Sequence, residues 1–224
     1  MKIVAVIPAY NEEKNIEQAI REAKPHVSEV VVIDDGSIDA TAEVARRAGA
    51  YVLVHRINRG QGAALRSGTE FALRRLEAKI IVHYDADCQH EADEIDDIVK
   101  PLLLGQAEVA LGSRFLEKKS NIPLLRKIVL KGGIIFTRIT SGLRVTDTHN
   151  GFRAFTRGAA EKINITQDRM AHASEILDEI SRYKLKFVEI PVTVKYSKAS
   201  LEKGQSSLNS IKIVWEYLTG KLLK

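Results

Sequence analysis

Five short apolar runs, each followed by a turn signal and a helix-period segment, constrain the chain more than any other feature. They fall at residues 3–8, 30–33, 51–54, 80–84 and 107–111. Continuous apolar runs of this length read as strands buried on both faces. Helix patterns occupy the intervals at 11–23, opening on Asn11, Glu12 and Glu13, at 37–47, at 60–77 and at 93–103. The alternation predicts βαβ units and an α/β class with a mostly parallel sheet flanked by helices. Ligands of such sheets gather beyond the carboxyl ends of the strands, at a topological switch point.

The residues at those ends are polar and acidic. The second run opens into Asp34-Asp35-Gly36-Ser37 and the fourth into Asp85-Ala86-Asp87-Cys88-Gln89. Pro8-Ala9-Tyr10-Asn11 and Gly112-Ser113-Arg114 close the first and the fifth. Two carboxylates one residue apart, where a strand opens into a loop, can turn toward one hard cation; Mg²⁺ in particular keeps positions free for substrate phosphates. A lone D-x-D is more often a polar turn. A second acidic strand end is what points to one site.

At 224 residues, with 45% hydrophobic and 28% charged content, the chain suits a single sizeable soluble domain. One cysteine, Cys88, excludes an intramolecular disulfide. It reads as a bystander in the acidic loop, because hard cations prefer oxygen. The N-terminus runs straight into a strand without a cleavage pattern. No stretch approaches the roughly 18 to 20 uncharged apolar residues of a membrane span. A cytoplasmic protein, soluble or peripheral on the cytoplasmic membrane face, is the expectation.

The net charge of +5 is unevenly placed. Between Gly112 and Val145 stand Arg114, Lys118, Lys119, Arg126, Lys127, Lys131, Arg138 and Arg144 against the single acid Glu117. That segment carries +7 (eight minus one), which leaves −2 for the rest. A solvated basic helix fits, and so does an anionic partner: a phosphate or an acidic lipid surface. Nucleic acid fits poorly, because aromatics are only 6% and no binding motif interleaves with the basic residues.

The second half is less regular. Residues 124–143 follow a helix pattern broken by Gly132 and Gly133, and strands are predicted at 187–190 and 192–196 around Pro191. Leu208, Ile211, Trp215, Leu218 and Leu222 mark an amphipathic helix in the tail. Packing on the domain and lying in a membrane interface both suit it. The simplest division is a domain over 1–197 and a helical appendage over 198–224.

Other motifs exclude chemistries. Gly60-Gln61-Gly62 has Leu65 where a dinucleotide fingerprint needs its third glycine, and it follows the third strand instead of the first. Its glycines suit a close approach of the 56–66 region to another element. Six histidines include no zinc-helix pair, although His90 is placed to support the acidic loop. Gly112-Ser113-Arg114 lacks the nucleophile-elbow pattern. Asp147-Thr148-His149-Asn150-Gly151-Phe152-Arg153 has two readings. It is either a polar turn with Gly151 at a special backbone angle, or a cleft wall to which Asp147 and Arg153 contribute.

Taken in order, six segments together resemble glycosyltransferase family 2. They are Pro8-Ala9-Tyr10-Asn11-Glu12, Asp34 to Thr41, Asn58-Arg59-Gly60-Gln61-Gly62, Asp85-Ala86-Asp87-Cys88-Gln89-His90, Gly112-Ser113-Arg114 and Asn150-Gly151-Phe152-Arg153. The nearest likeness is to polyprenyl- and dolichyl-phosphate mannose and glucose synthases. The resemblance implies a GT-A, Rossmann-like fold and inverting transfer from a UDP- or GDP-linked sugar. It implies that Pro8, Tyr10, Glu12, Ile33 and Asp35 line the nucleoside pocket, with Asp85-Ala86-Asp87 at the diphosphate. Asp85, Asp87 and Gln89 would hold Mg²⁺ or Mn²⁺, and Arg114, Arg126, Lys127 and Lys131 would meet the acceptor phosphate. Asp87 and Arg114 are then the residues expected to carry catalysis, with Asp147 as base if the acceptor is a saccharide hydroxyl. Gln61 departs from the pattern, standing where relatives often carry lysine. A catalytically silent nucleotide-sugar-binding module is the alternative outside enzymes.

Overall fold

The structure, a computed structural model, describes residues 1–116 and 141–195, together with Gly132, Ile134 and Arg138. Seven strands among them form one sheet: β1 (Ile3–Ala9), β2 (Glu29–Asp34), β3 (Tyr51–Val54), β4 (Ile80–His83), β5 (Val109–Ser113), β6 (Arg153–Thr156) and β7 (Phe187–Pro191). Their order is β3-β2-β1-β4-β6-β5-β7. All neighbouring pairs are parallel except those of β6, which runs antiparallel to β4 and β5. The chain winds outward from β1 to β3, then returns to lay β4 on the other flank of β1. That reversal puts the switch point between β1 and β4.

Strand alternation builds a core on each face. Ala5, Ile7, Val30 and Val32 face α1 (Ile16–Ala23), α2 (Thr41–Arg47) and α4 (Glu94–Leu103). Val4, Val6, Val31 and Ile33 face α3 (Gln61–Arg74), α5 (Arg157–Lys162) and α6 (His172–Arg182). At Gly68 of α3 an added Cβ would collide with Ile33 and Val6, so the glycine lets the helix lie close on the sheet.

Three expectations change. The first helix begins at Ile16, not Asn11, because residues 11–13 spend their hydrogen bonds on the loop after β2. Asn11 N donates to Ser37 Oγ at 2.9 Å and Glu12 N to Thr41 Oγ1 at 2.8 Å. Ile38 N and Ala40 N donate back to Asn11 Oδ1 and Glu13 Oε2 at 3.0 and 3.1 Å. Residues 192–195 are not a strand but a strap over the acidic loop. Thr193 N donates to both Glu94 oxygens at 2.9 Å, Lys195 N donates to Gln89 O, and only Val194 bridges to His90. The polar 147–153 segment, read as a turn or a cleft wall, runs directly into a strand that was not expected, β6. Most of the 124–143 pattern, with Lys118, Lys119, Arg126, Lys127 and Lys131, lies outside the described residues, as does the whole 198–224 appendage.

Candidate active site

The two acidic strand ends meet through two adjacent residues. Asp35 is 3% exposed, and its carboxylate gathers the loop after β3. Gly60 N donates to Oδ2 at 2.6 Å, Arg59 N reaches both oxygens at 3.1 Å, and His55 Nδ1 lies 2.7 Å from Oδ1. The next residue, Gln61, donates from Nε2 to Asp85 Oδ1 at 2.9 Å. The amide at position 61 thus takes a neutral hold on the β4 carboxylate. Gly36 and Gly60 both have positive φ, +76° and +104°, which only glycine adopts without strain. A Cβ on Gly36 would press on Asn58 N, and one on Gly60 on Asp168 O at 2.7 Å. A Cβ on Gly62 would likewise collide with Gln167 O and press on His172. The close approach expected of these glycines is what they provide, against the segment before α6.

Asp85 and Asp87 share one loop in unlike surroundings. Asp85 is about a quarter exposed, with His90 Nε2 at 3.6 Å from Oδ2. Burial pushes its carboxyl up, but the His90 contact and the nearby Arg153 charge outweigh that and hold it below its ordinary value. Asp87 opens to solvent, yet the protein wall behind it and the Asp85 carboxylate push it up to about 6. Gln89 steadies it, donating from N at 3.1 Å and from Nε2 at 2.6 Å. Gly151 does not sit at a special angle. It lacks a Cβ because one would lie 2.6 Å from Asp85 Oδ2. Cys88 is the quiet bystander expected: burial pushes its thiol up to about 11.

Among the described residues no cluster of three His, Cys, Asp or Glu could cage a metal. The Asp85 and Asp87 carboxylates, one partly and one well exposed, and the amide of Gln89 beside Asp87 are oxygen donors that fit Mg²⁺ or Mn²⁺ of the kind that completes its shell with phosphate oxygens.

Arg114 and Asp147, singled out for different duties, form one buried ion pair. Arg114 Nε donates to Asp147 Oδ2 at 2.6 Å, its backbone N to the same oxygen at 3.2 Å, and Nη2 to Oδ1 at 3.4 Å. Their side chains are 6% and 1% exposed. Asp147, the candidate base for a saccharide hydroxyl, thus has both oxygens engaged by Arg114 and is almost out of solvent. Arg153 is 3% exposed, reaches Thr148 O at 3.4 Å, and is lowered to about 10 by burial, with Asp147 and Asp85 opposing that shift. It therefore keeps its charge, in the field of both the Asp147 and the Asp85 carboxylates.

The nucleoside-pocket residues divide. Tyr10 is 46% exposed, and Pro8 is half-buried beside it at the end of β1. Ile33 is fully buried against α3, on a strand paired on both sides with β1 and β3, and Ala86 is only 4% exposed. Arg126, Lys127 and Lys131 lie outside the described residues. Reading the residues in order missed Glu189, which holds the turn at Thr146 and Asp147. Only its place on a strand beside the fifth could have drawn attention to it. No helix among the described residues is long and apolar enough to cross a membrane.

The glycosyl transferase family 2 model matches residues 4–164. An uncharacterized protein of Methanocaldococcus jannaschii is 36% identical over 99% of the chain and 93% of its own length. A UDP-N-acetylglucosamine–dolichyl-phosphate N-acetylglucosaminyltransferase of Methanococcus voltae is 30% identical over 99% and 97%. A dolichol-phosphate mannosyltransferase of Pyrococcus furiosus is 30% identical over 97% of the chain and 62% of its own length. Among solved structures, glucosyl-3-phosphoglycerate synthase of Mycobacterium tuberculosis, in complex with Mn²⁺, UDP and glucosyl-3-phosphoglycerate, superposes with a TM-score of 0.73. It shares 22% identity over 96% of this chain and 79% of that one, a likeness of fold.

Proposed function

The chain belongs to glycosyl transferase family 2, and from that premise we propose that it transfers a hexose from a nucleotide sugar, of the GDP-mannose or UDP-glucose type, to a polyprenyl or dolichyl phosphate, with inversion. The observation that carries this reading is the junction at Gly60 and Gln61, which draws Asp35 and the Asp85–Asp87 loop onto one rim. The names of the M. voltae and P. furiosus relatives support the lipid-phosphate acceptor.

On this reading Tyr10, Pro8 and Glu12 receive the nucleoside, while Asp35 shapes the pocket by holding the Arg59–Gly60 backbone. Asp85 and Asp87, with Gln89 beside them, would hold Mg²⁺ or Mn²⁺, which supplies a Lewis acid for the departing diphosphate. Arg114 offers charge already oriented by Asp147, so no reorganisation is needed as negative charge develops on phosphate oxygens. Arg126, Lys127 and Lys131 would draw the acceptor phosphate toward it, and the 198–224 segment would touch the membrane surface from the cytoplasmic side.

The buried Arg114–Asp147 pair also favours the lipid phosphate over a saccharide hydroxyl. An anionic phosphate oxygen attacks without a base, whereas a hydroxyl needs a free carboxylate, and Asp147 is committed. The test is transfer of label from UDP- or GDP-hexoses into an organic-extractable product with added polyprenyl phosphate and Mn²⁺. Product is expected with one donor, at a rate about 10²- to 10³-fold lower after Asp87→Ala. Label reaching only water or free saccharide overturns the acceptor assignment.

A further inference from the structure

Glu189 sits on β7, in register with Leu111 of β5, and bonds to the turn that carries Asp147. Its Oε1 accepts three bonds: from Thr146 N at 2.8 Å, from Thr146 Oγ1 at 2.8 Å and from Asp147 N at 3.3 Å. Because the Thr146 hydroxyl proton points to Glu189, Thr146 Oγ1 is left to accept from Ser113 Oγ at 2.7 Å. Ser113 Oγ in turn accepts from Phe115 N at 3.3 Å. Ser113 is fully buried, so this arrangement has no water to replace it.

One carboxylate oxygen thus fixes both segments that set Arg114. The 146–147 turn supplies the counter-carboxylate, and the Ser113–Phe115 segment carries the arginine itself. Asp147 alone would orient the guanidinium only as well as its own turn is held. The backbone N–H of Asp147 and both donors of Thr146 converge on Glu189, which stops that turn from rotating. We propose that Glu189 is a positioning residue that presets the Arg114–Asp147 pair for contact with the phosphate group in sugar transfer. The catalytic consequence rests on the reading of Arg114 given above; the positioning itself does not.

Two readouts keep these apart. In arginine-¹⁵N-labelled protein the Arg114 Nε–H is expected to exchange slowly, being buried and bonded to Asp147. Glu189→Ala is expected to speed that exchange at least about tenfold, while Glu189→Gln, which keeps an acceptor oxygen, stays near wild type. In transfer assays Glu189→Ala should lower kcat roughly 10- to 100-fold with donor KM within about twofold, and Glu189→Gln should restore most of it. Combined with Arg114→Lys, Glu189→Ala should add less than about a twofold further loss, because both act through one guanidinium.

Unchanged exchange in Glu189→Ala, or two losses that multiply, overturns the proposal. Faster exchange in Glu189→Ala, together with a wild type that transfers no sugar, would leave the positioning standing and remove the acceptor reading. Should Glu189→Ala not fold, Thr146→Val removes only the hydroxyl arm of the same relay. An intermediate rise in exchange supports the proposal there, and none overturns it.

Discussion

The two halves of the site are assembled by different means. On the β1–β4 side the loops leave parallel strands at one edge and are joined by side chains bonding to backbone: Asp35 to Arg59 and Gly60, Asn11 to Ile38, Glu13 to Ala40. Its key carboxylates, Asp85 and Asp87, stand partly or well in solvent. On the β5–β7 side the antiparallel β6 intrudes and the charges are interior: Arg114, Asp147 and Arg153 are 7%, 4% and 3% exposed. A rim of open carboxylates suits a cation and diphosphate that come and go together. A buried, prepaired arginine suits stabilising charge that appears only during transfer. The contrast separates residues whose loss harms chemistry alone from residues whose loss harms folding too.

Truncating one residue from each half is the strongest test of that separation. Asp87→Ala is expected to reduce kcat about 10²- to 10³-fold, the usual loss for one charge-organising group, with little change in stability. Arg114→Ala is expected to lose comparable turnover and also about 3 to 5 kcal/mol of stability, because Asp147 is left buried and unpaired. Urea unfolding beside turnover measures both. Adding Asp147→Asn to Arg114→Ala should return part of the stability and none of the turnover. Equal stability losses for the two single variants would erase the distinction.

The same contrast governs what could be read before any coordinates. The β1–β4 side was legible because its strands are consecutive apolar runs, and the acidic residues follow them directly in the chain. Gly60 and Gly62 announced a close approach, though not its partner, Gln167 to His172, about a hundred residues away. The other side resisted for the same physical reason. β6 is four residues long and pairs antiparallel with strands about 70 and 40 residues earlier, so no periodicity marks it. Glu189 reads as an ordinary strand residue until β7 docks on β5. The sequence marks Asp35 as a site residue but does not show that its oxygens also hold Arg59, Gly60 and His55, contacts that cross 20 to 25 residues of chain.

That anchoring sets the next expected effect. Asp35→Asn keeps the shape but replaces one acceptor oxygen with a donor facing Gly60 N or His55. A buried carboxylate bond broken in this way costs about 1 to 3 kcal/mol. Asp35→Asn should therefore lower stability and raise the exchange rate of the Arg59 and Gly60 amides, while amides on the β5–β7 side hold theirs. Uniform loss of protection across the sheet would mean that the two halves unfold as one and do not differ in their local support.

The smallest expected effect lies in acid. His172 is held down at about 4, by burial and then by Arg153, with the Arg169 carbonyl, Asp85 and Glu175 acting against that. His149 is held down at about 4 by burial and by Arg114 and Arg153, with Asp147 opposing. Both are therefore neutral in the folded protein at pH values where the unfolded chain, with its ordinary value near 6.5, binds a proton. The unfolded state holds more protons between about pH 6.5 and 4, so stability is complete above 6.5 and declines as pH falls through that window. One unit below the unfolded value, at pH 5.5, each histidine costs about 1.4 kcal/mol. Unfolding free energies at pH 7.5 and 5.5 should differ by that amount less in His172→Gln than in wild type. A difference unchanged by the substitution would show that the imidazole takes its proton inside the fold, and that the floor beneath Arg153 admits water.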